Sequence, residues 1–112
     1  MSHFIKDTFT QALTTAALSK SFTVPHRAKL DEILIHASTG ISETITVTHD
    51  AYHEGSNYDT VLKTTTLTSE QDFVFRPTGV CVFEKNDILK IQCTNANATG
   101  TVYGKLKMTK SY

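Results

Sequence analysis

In the stretch ISETITVTH, residues 41–49, Ile41, Glu43, Ile45 and Val47 occupy one face while Thr44, Thr46 and Thr48 occupy the other. Side chains along a strand point alternately to the two faces of a sheet, so a strict two-residue period is the mark of a half-buried β-strand. The stretch TVYGKLKMT, residues 101–109, repeats the pattern: Val102, Gly104, Leu106 and Met108 face one way, and Tyr103, Lys105 and Lys107 face water. Strands of this kind belong to antiparallel sheets with one wet face, and their apolar faces require a second layer. Threonine, with nineteen residues, is the commonest type in the chain. Its β-branched side chain packs well on a pleated surface and favours extended structure.

Similar segments recur with turn signals between them. The expected strands are 21–25, 29–37, 41–48, 59–67, 72–76, 79–84, 88–94 and 101–109. The punctuation falls at Pro25-His26, Ser38-Thr39-Gly40, Gly55-Ser56-Asn57, Ser69-Glu70, Pro77-Thr78-Gly79, Lys85-Asn86-Asp87 and from Asn95 to Gly100. The spacing predicts an all-β fold, an antiparallel two-sheet β-sandwich or jelly roll of about eight strands. Residues 4–19 are ambiguous. Phe9, Ala12, Leu13, Ala16 and Ala17 fit a helical stripe, whereas Thr8, Thr10, Thr14 and Thr15 argue for extended chain. The reading adopted is an N-terminal arm or first strand over 1–19 and a β-sandwich over 20–112, one domain in all. A chain of 112 residues buries roughly two thirds of its unfolded surface, enough for a single core.

The formal net charge is zero, with 20% charged residues, which disfavours a nucleic-acid partner. The charges are segregated along the chain. Residues 30–62 carry Asp31, Glu32, Glu43, Asp50, Glu54 and Asp59 and no Lys or Arg, while residues 88–112 carry Lys90, Lys105, Lys107 and Lys110 and no acid. Such a pattern orients complementary faces of neighbouring subunits, unless strands from the two regions lie side by side and cancel it. No apolar run is long enough to span a membrane, and the start MSHFIKDTFTQ lacks the succession of a secretory signal, so an untargeted product is expected. Cys81 and Cys93 fall in strand-like segments without the spacing of a zinc motif and read as buried free thiols, with a disulfide across neighbouring strands as the alternative.

Chemistry is suggested at HDAYHEG, residues 49–55. On a helix, His49 and His53 would share a face and hold zinc, with Asp50 beside them. The alternation running into Gly55-Ser56-Asn57 instead makes this stretch a strand end and loop, where the spacing loses that meaning. Asp50, Glu54 and Asp59 do not follow a regular calcium-loop pattern. His49, His53 and Asp50 are therefore weak metal candidates, and no cofactor is expected. Paired acids in a catalytic setting, a nucleophile elbow and a phosphate cradle are all missing from the sequence, which points away from an enzyme. Sugar binding is the rival reading. Tyr52, Tyr58, Tyr103 and Tyr112 are available for it, there is no Trp, and Phe73, Phe75 and Phe83 are expected in the core. Asn97-Ala98-Thr99 matches a glycosylation acceptor, read as a chance match in a chain without a secretion signal.

VCVFEKNDILKIQCTN (80–95) places a tight acidic turn before a strand ending in Thr-Asn, and a Gly-containing turn then leads into ATGTVYGKLKMT. Together with KLDEILIHASTGISETITVTHDA, these residues resemble the small jelly-roll or sandwich proteins that decorate or cement the heads of tailed bacteriophages. The resemblance spans roughly residues 20–110. It implies a non-enzymatic virion protein, assembled in the host cytoplasm, whose partners are the major capsid protein and itself, as a homodimer or homotrimer. It carries over no site residues. The alternatives are a carbohydrate or cell-surface binding module, or a tail or fibre accessory domain.

Overall fold

A computed structural model describes residues 4–111. It contains nine strands: β1 (Phe4–Ala12), β2 (Leu18–Thr23), β3 (Ala28–Ile41), β4 (Thr44–Asp50), β5 (Thr60–Thr66), β6 (Glu70–Phe75), β7 (Val82–Phe83), β8 (Ile88–Cys93) and β9 (Thr101–Lys110). They form two antiparallel sheets. One has the order β1-β9-β3-β6, with the short β7 also paired to β3; the other has the order β2-β8-β4-β5. Apart from β7, successive strands pass between the sheets at every step except β4 to β5. This is the strand order of a jelly roll, two interlocked Greek keys in a sandwich.

The alternation legible in the sequence is what closes the sandwich. Ile45 and Val47 of β4, Leu89, Ile91 and Cys93 of β8, and Val102, Leu106 and Met108 of β9 are buried between the sheets with Ile33, Ile35, Phe73 and Phe83. Gly104 keeps the inward phase of β9 but leaves a side-chain-sized space, which Phe9 of the neighbouring edge strand fills. A Cβ at position 104 would lie 2.1 Å from Phe9 Cε2 and Cζ. The aromatic ring of an edge strand thus covers a glycine in its partner, tying β1 to the core.

The segment 4–19 holds no helix. β1 pairs with β9 from Phe4↔Thr109 to Ala12↔Thr101, a turn follows, and β2 begins at Leu18, so the boundary between residues 19 and 20 falls inside a strand. Residues 1–3 of the expected arm 1–19 lie outside the described residues. Two expectations are corrected. Ser38-Thr39-Gly40 is not a turn: β3 runs through it to Ile41, and the chain changes sheets at Ser42-Glu43 instead. The expected strand 79–84 shrinks to Val82–Phe83, because Gly79 and Val80 form no ladder. The charge segregation is cancelled only in part, although strands of the acidic and basic regions are neighbours. β3 pairs with β9, setting Glu32 against Lys107, and Lys90 reaches Asp50 at 3.1 Å.

Candidate functional site

His49 and His53 do not converge. His49, at the inner edge of β4, stacks on Phe83 with ring centroids 3.9 Å apart, and its Nε2 hydrogen-bonds Asp87 Oδ2 at 2.8 Å. His53 stands in the exposed loop that follows, edge-on to Tyr52, and Asp50 is engaged by Lys90. Among the described residues no cluster of three or more His, Cys, Asp or Glu side chains is arranged to hold a metal ion. What the stretch builds is a latch. Asp87 is only 3% exposed; besides His49 it accepts hydrogen bonds from the Tyr52 amide at 2.9 Å and the Glu84 amide at 3.0 Å. Burial opposes its ionisation, but the His49 bond and the two amides outweigh burial and hold the Asp87 carboxyl below its usual range. Asp59 Oδ1 accepts from the Ala51 amide at 3.1 Å, and a single 3-10 turn, Ser56–Tyr58, follows Gly55 in its left-handed conformation (φ 85°). The 51–59 loop is therefore anchored at both ends.

Glu43 is a second buried carboxylate, 3% exposed. Sitting at the crossover between sheets, it accepts hydrogen bonds from the Thr94 hydroxyl at 2.7 Å, the Ala96 amide at 2.9 Å and the Asn97 amide at 2.9 Å. Burial disfavours its charge, and these three donors more than compensate, so its pKa lies below the ordinary value. It replaces the ladder bonds that the chain gives up in changing sheets. An acid in phase with Ile41, Ile45 and Val47 is the sequence signal for such a role, because a buried carboxylate needs donors. Asp87 carries no comparable signal. The Asn97 side-chain amide donates to the Ser42 carbonyl across the same crossover, at 2.5 Å.

Both cysteines are free thiols, Cys93 buried and Cys81 half-buried. Burial pushes the Cys93 thiol up to about 11, with help from the Glu43 charge, and burial raises Cys81 as well. Neither has the depressed pKa of a nucleophile.

The broad surfaces of the molecule are its two outer sheet faces. On the β2-β8-β4-β5 sheet the register sets Ser19, Gln92, Thr46 and Thr64 in one row, with Thr44 and Thr66 beside it joined hydroxyl to hydroxyl at 3.1 Å. On the other sheet a shallow groove of about 570 Å³ crosses β1, β9, β3 and β6. Its outward lining includes Tyr103 and Val74, each 51% exposed, with Leu34, Thr10 and a surface pair in which His36 Nδ1 meets Asp72 Oδ1 at 2.7 Å. Tyr52 and Tyr58 line no part of it and stand in the 51–59 loop, 61% and 66% exposed. Tyr112 lies outside the described residues, while Phe73 and Phe83 are in the core and Phe75 packs against it.

No protein-family model matches the chain, and no curated protein sequence matches it. Among solved structures it is similar to RmlC from Streptococcus suis in complex with dTDP-D-xylose, at 6% identity and a TM-score of 0.42. That likeness covers 97% of this chain, which spans 45% of the length of the RmlC chain. The assignment as an antiparallel β-sandwich of jelly-roll order stands on the chain's own strand pairing.

Proposed function

We propose that this chain is a non-enzymatic virion protein that decorates and cements the head of a tailed phage, assembling in the host cytoplasm onto the major capsid protein. The observation that carries the reading is the outward face of the β2-β8-β4-β5 sheet, where the short hydroxyl side chains of Ser19, Thr44, Thr46, Thr64 and Thr66 surround Gln92 and stand beside the Lys90–Asp50 pair. Threonine has one main rotatable bond and is stiff at it, so ordering a row of threonines against a partner costs little side-chain entropy. Each hydroxyl both donates and accepts, which lets the row meet a polar lattice surface. The ladder beneath is fixed by pairing on both sides of β8 and β4. Repeated over a lattice, such modest contacts add up through avidity when copies are linked. The capsid as partner comes from the resemblance of residues 20–110 to head-decorating proteins.

The test is co-sedimentation with expanded heads assembled from the major capsid protein of the same genome. The wild-type chain pellets with heads to a saturating ratio. Thr46→Arg with Thr64→Arg, which crowd the centre of the hydroxyl face without touching the core, weaken this at least about tenfold, some 1.4 kcal/mol. A wild-type chain that stays in the supernatant overturns the proposal. A second reading, carbohydrate binding, is favoured by the groove in which Tyr103 stands beside His36 and Asp72. Glycan-array binding lost in Tyr103→Ala, together with absence of head binding, would put it first.

A further inference from the structure

The β1–β9 register brings three lysines together on the outer face of the β1-β9-β3-β6 sheet. Lys6 is directly opposite Lys107, and Lys105 is the next outward residue of β9, opposite Thr8. Like charges in cross-strand positions repel, so the acids nearby decide whether the cluster is neutralised. Each is already committed. Asp7 pairs with Lys20 at 2.7 Å, Asp31 with Lys29 at 3.8 Å, and Glu32, opposite Lys107, with Arg76 at 3.3 Å. Among the described residues no ion pair reaches Lys6, Lys105 or Lys107; Lys6 and Lys107 lie instead over the Phe4 ring, at 5.9 and 4.5 Å. The patch therefore carries three lysines that no ion pair among the described residues reaches, and it borders the apolar groove of Tyr103 and Val74.

The complementary surface is on the same molecule. The 51–59 loop carries Glu54 and Asp59, no Lys or Arg, and no ion pair among the described residues reaches either acid. It also presents Tyr52 and Tyr58, among the most exposed large apolar side chains of the chain. Acid plus aromatic on the loop matches lysine plus apolar groove on the sheet. The loop joins β4 to β5 of one sheet and the lysines face outward from the other, so a single copy leaves both surfaces in water. We infer that the 51–59 loop of one copy docks on the Lys6-Lys105-Lys107 face of a second copy, Tyr52 or Tyr58 entering the groove beside Tyr103. Because the two patches differ, two copies satisfy both contacts by a reciprocal two-fold exchange, and more copies do so head to tail in a ring where the rotation between them closes. The latch formed by Asp87 and His49 holds the loop in shape beforehand, which lowers the ordering cost of docking. The contact stands whether or not the capsid is the final partner.

Sedimentation velocity of the full chain tests it, separately from any head binding. In low salt at high micromolar concentration the chain runs as a discrete oligomer of the 12.4 kDa protomer, and added salt dissociates it by screening. Lys6→Glu with Lys105→Glu, or Glu54→Lys alone, weakens association at least tenfold while circular dichroism stays that of the wild type. A chain carrying all three reversals regains the oligomer. A wild-type chain that is monomeric throughout, an oligomer indifferent to both reversals, or failure of the triple reversal to restore it overturns the inference.

Discussion

Replacing Asp87 by Ala probes the latch that shapes the exposed loop. The substitution strands three donors, His49 Nε2 and the amides of Tyr52 and Glu84, now held at 2.8–3.0 Å. Hydrogen bonds to a charged acceptor are worth about 1.5–3 kcal/mol each, and breaking a buried pair costs about 3–5 kcal/mol. Tyr52 and its amide lie near solvent and recover part of this, so the expected loss is about 3 kcal/mol. At roughly 4 °C per kcal/mol for a domain of this size, the midpoint falls by about 12 °C. Far-UV circular dichroism measures both, the midpoint by thermal unfolding and the free energy by urea unfolding. Asp87→Asn, which keeps the shape and one acceptor, loses about half as much by the same hydrogen-bond arithmetic. The sign with pH follows from linkage. The folded carboxyl titrates below its ordinary 3.8, so its contribution is complete above that value and is lost as pH falls through the folded pKa. The gap between wild type and Asp87→Asn therefore closes in acid. A loss under about 1 kcal/mol, no larger than an ordinary neutral hydrogen bond, or a gap that widens in acid, would refute the reasoning.

Gly104→Ala drives a methyl into the Phe9 ring and destabilises by about 1–3 kcal/mol through overpacking; Phe9→Leu in the same chain recovers part of that loss, and a double-mutant cycle read by thermal unfolding reports the coupling. Glu43→Gln weakens the crossover by about 1–3 kcal/mol, and because the folded Glu43 pKa lies below 4.5, the difference from wild type shrinks as pH falls through the folded value. With Cys93 pushed up to about 11, its thiolate fraction at pH 8 is on the order of one in a thousand. A disulfide-exchange reagent therefore labels Cys81 in the native chain and reaches Cys93 only after denaturation.

The strands easiest to read from sequence, β4 and β9, are those with one wet and one dry face, since there the two-residue period is printed directly in residue type. Ser38-Thr39-Gly40 misled because small polar residues punctuate turns. In the fold they are exposed residues of a long strand whose pairing with β6 shifts register between His36 and Ile41. The real change of sheet, at Ser42-Glu43, has neither Gly nor Pro; the buried Glu43 carboxylate ties it to residues 94–97. Val80 read as part of an apolar strand, yet it is 79% exposed in a loop, because alternation of apolar residues cannot say whether a ladder partner exists. The latch and the lysine patch were hidden for the same reason. Asp87 meets His49 across 38 positions, and Lys6 meets Lys107 only once β1 is laid antiparallel to β9.

The central claim is that this sandwich works through the area of its sheet faces. Electron cryomicroscopy of expanded heads saturated with the chain tests it most directly. The account predicts added density at regular lattice positions, into which the slab fits with the β2-β8-β4-β5 face against the capsid. Bare heads, or a chain attached with that hydroxyl face turned to solvent, would contradict it.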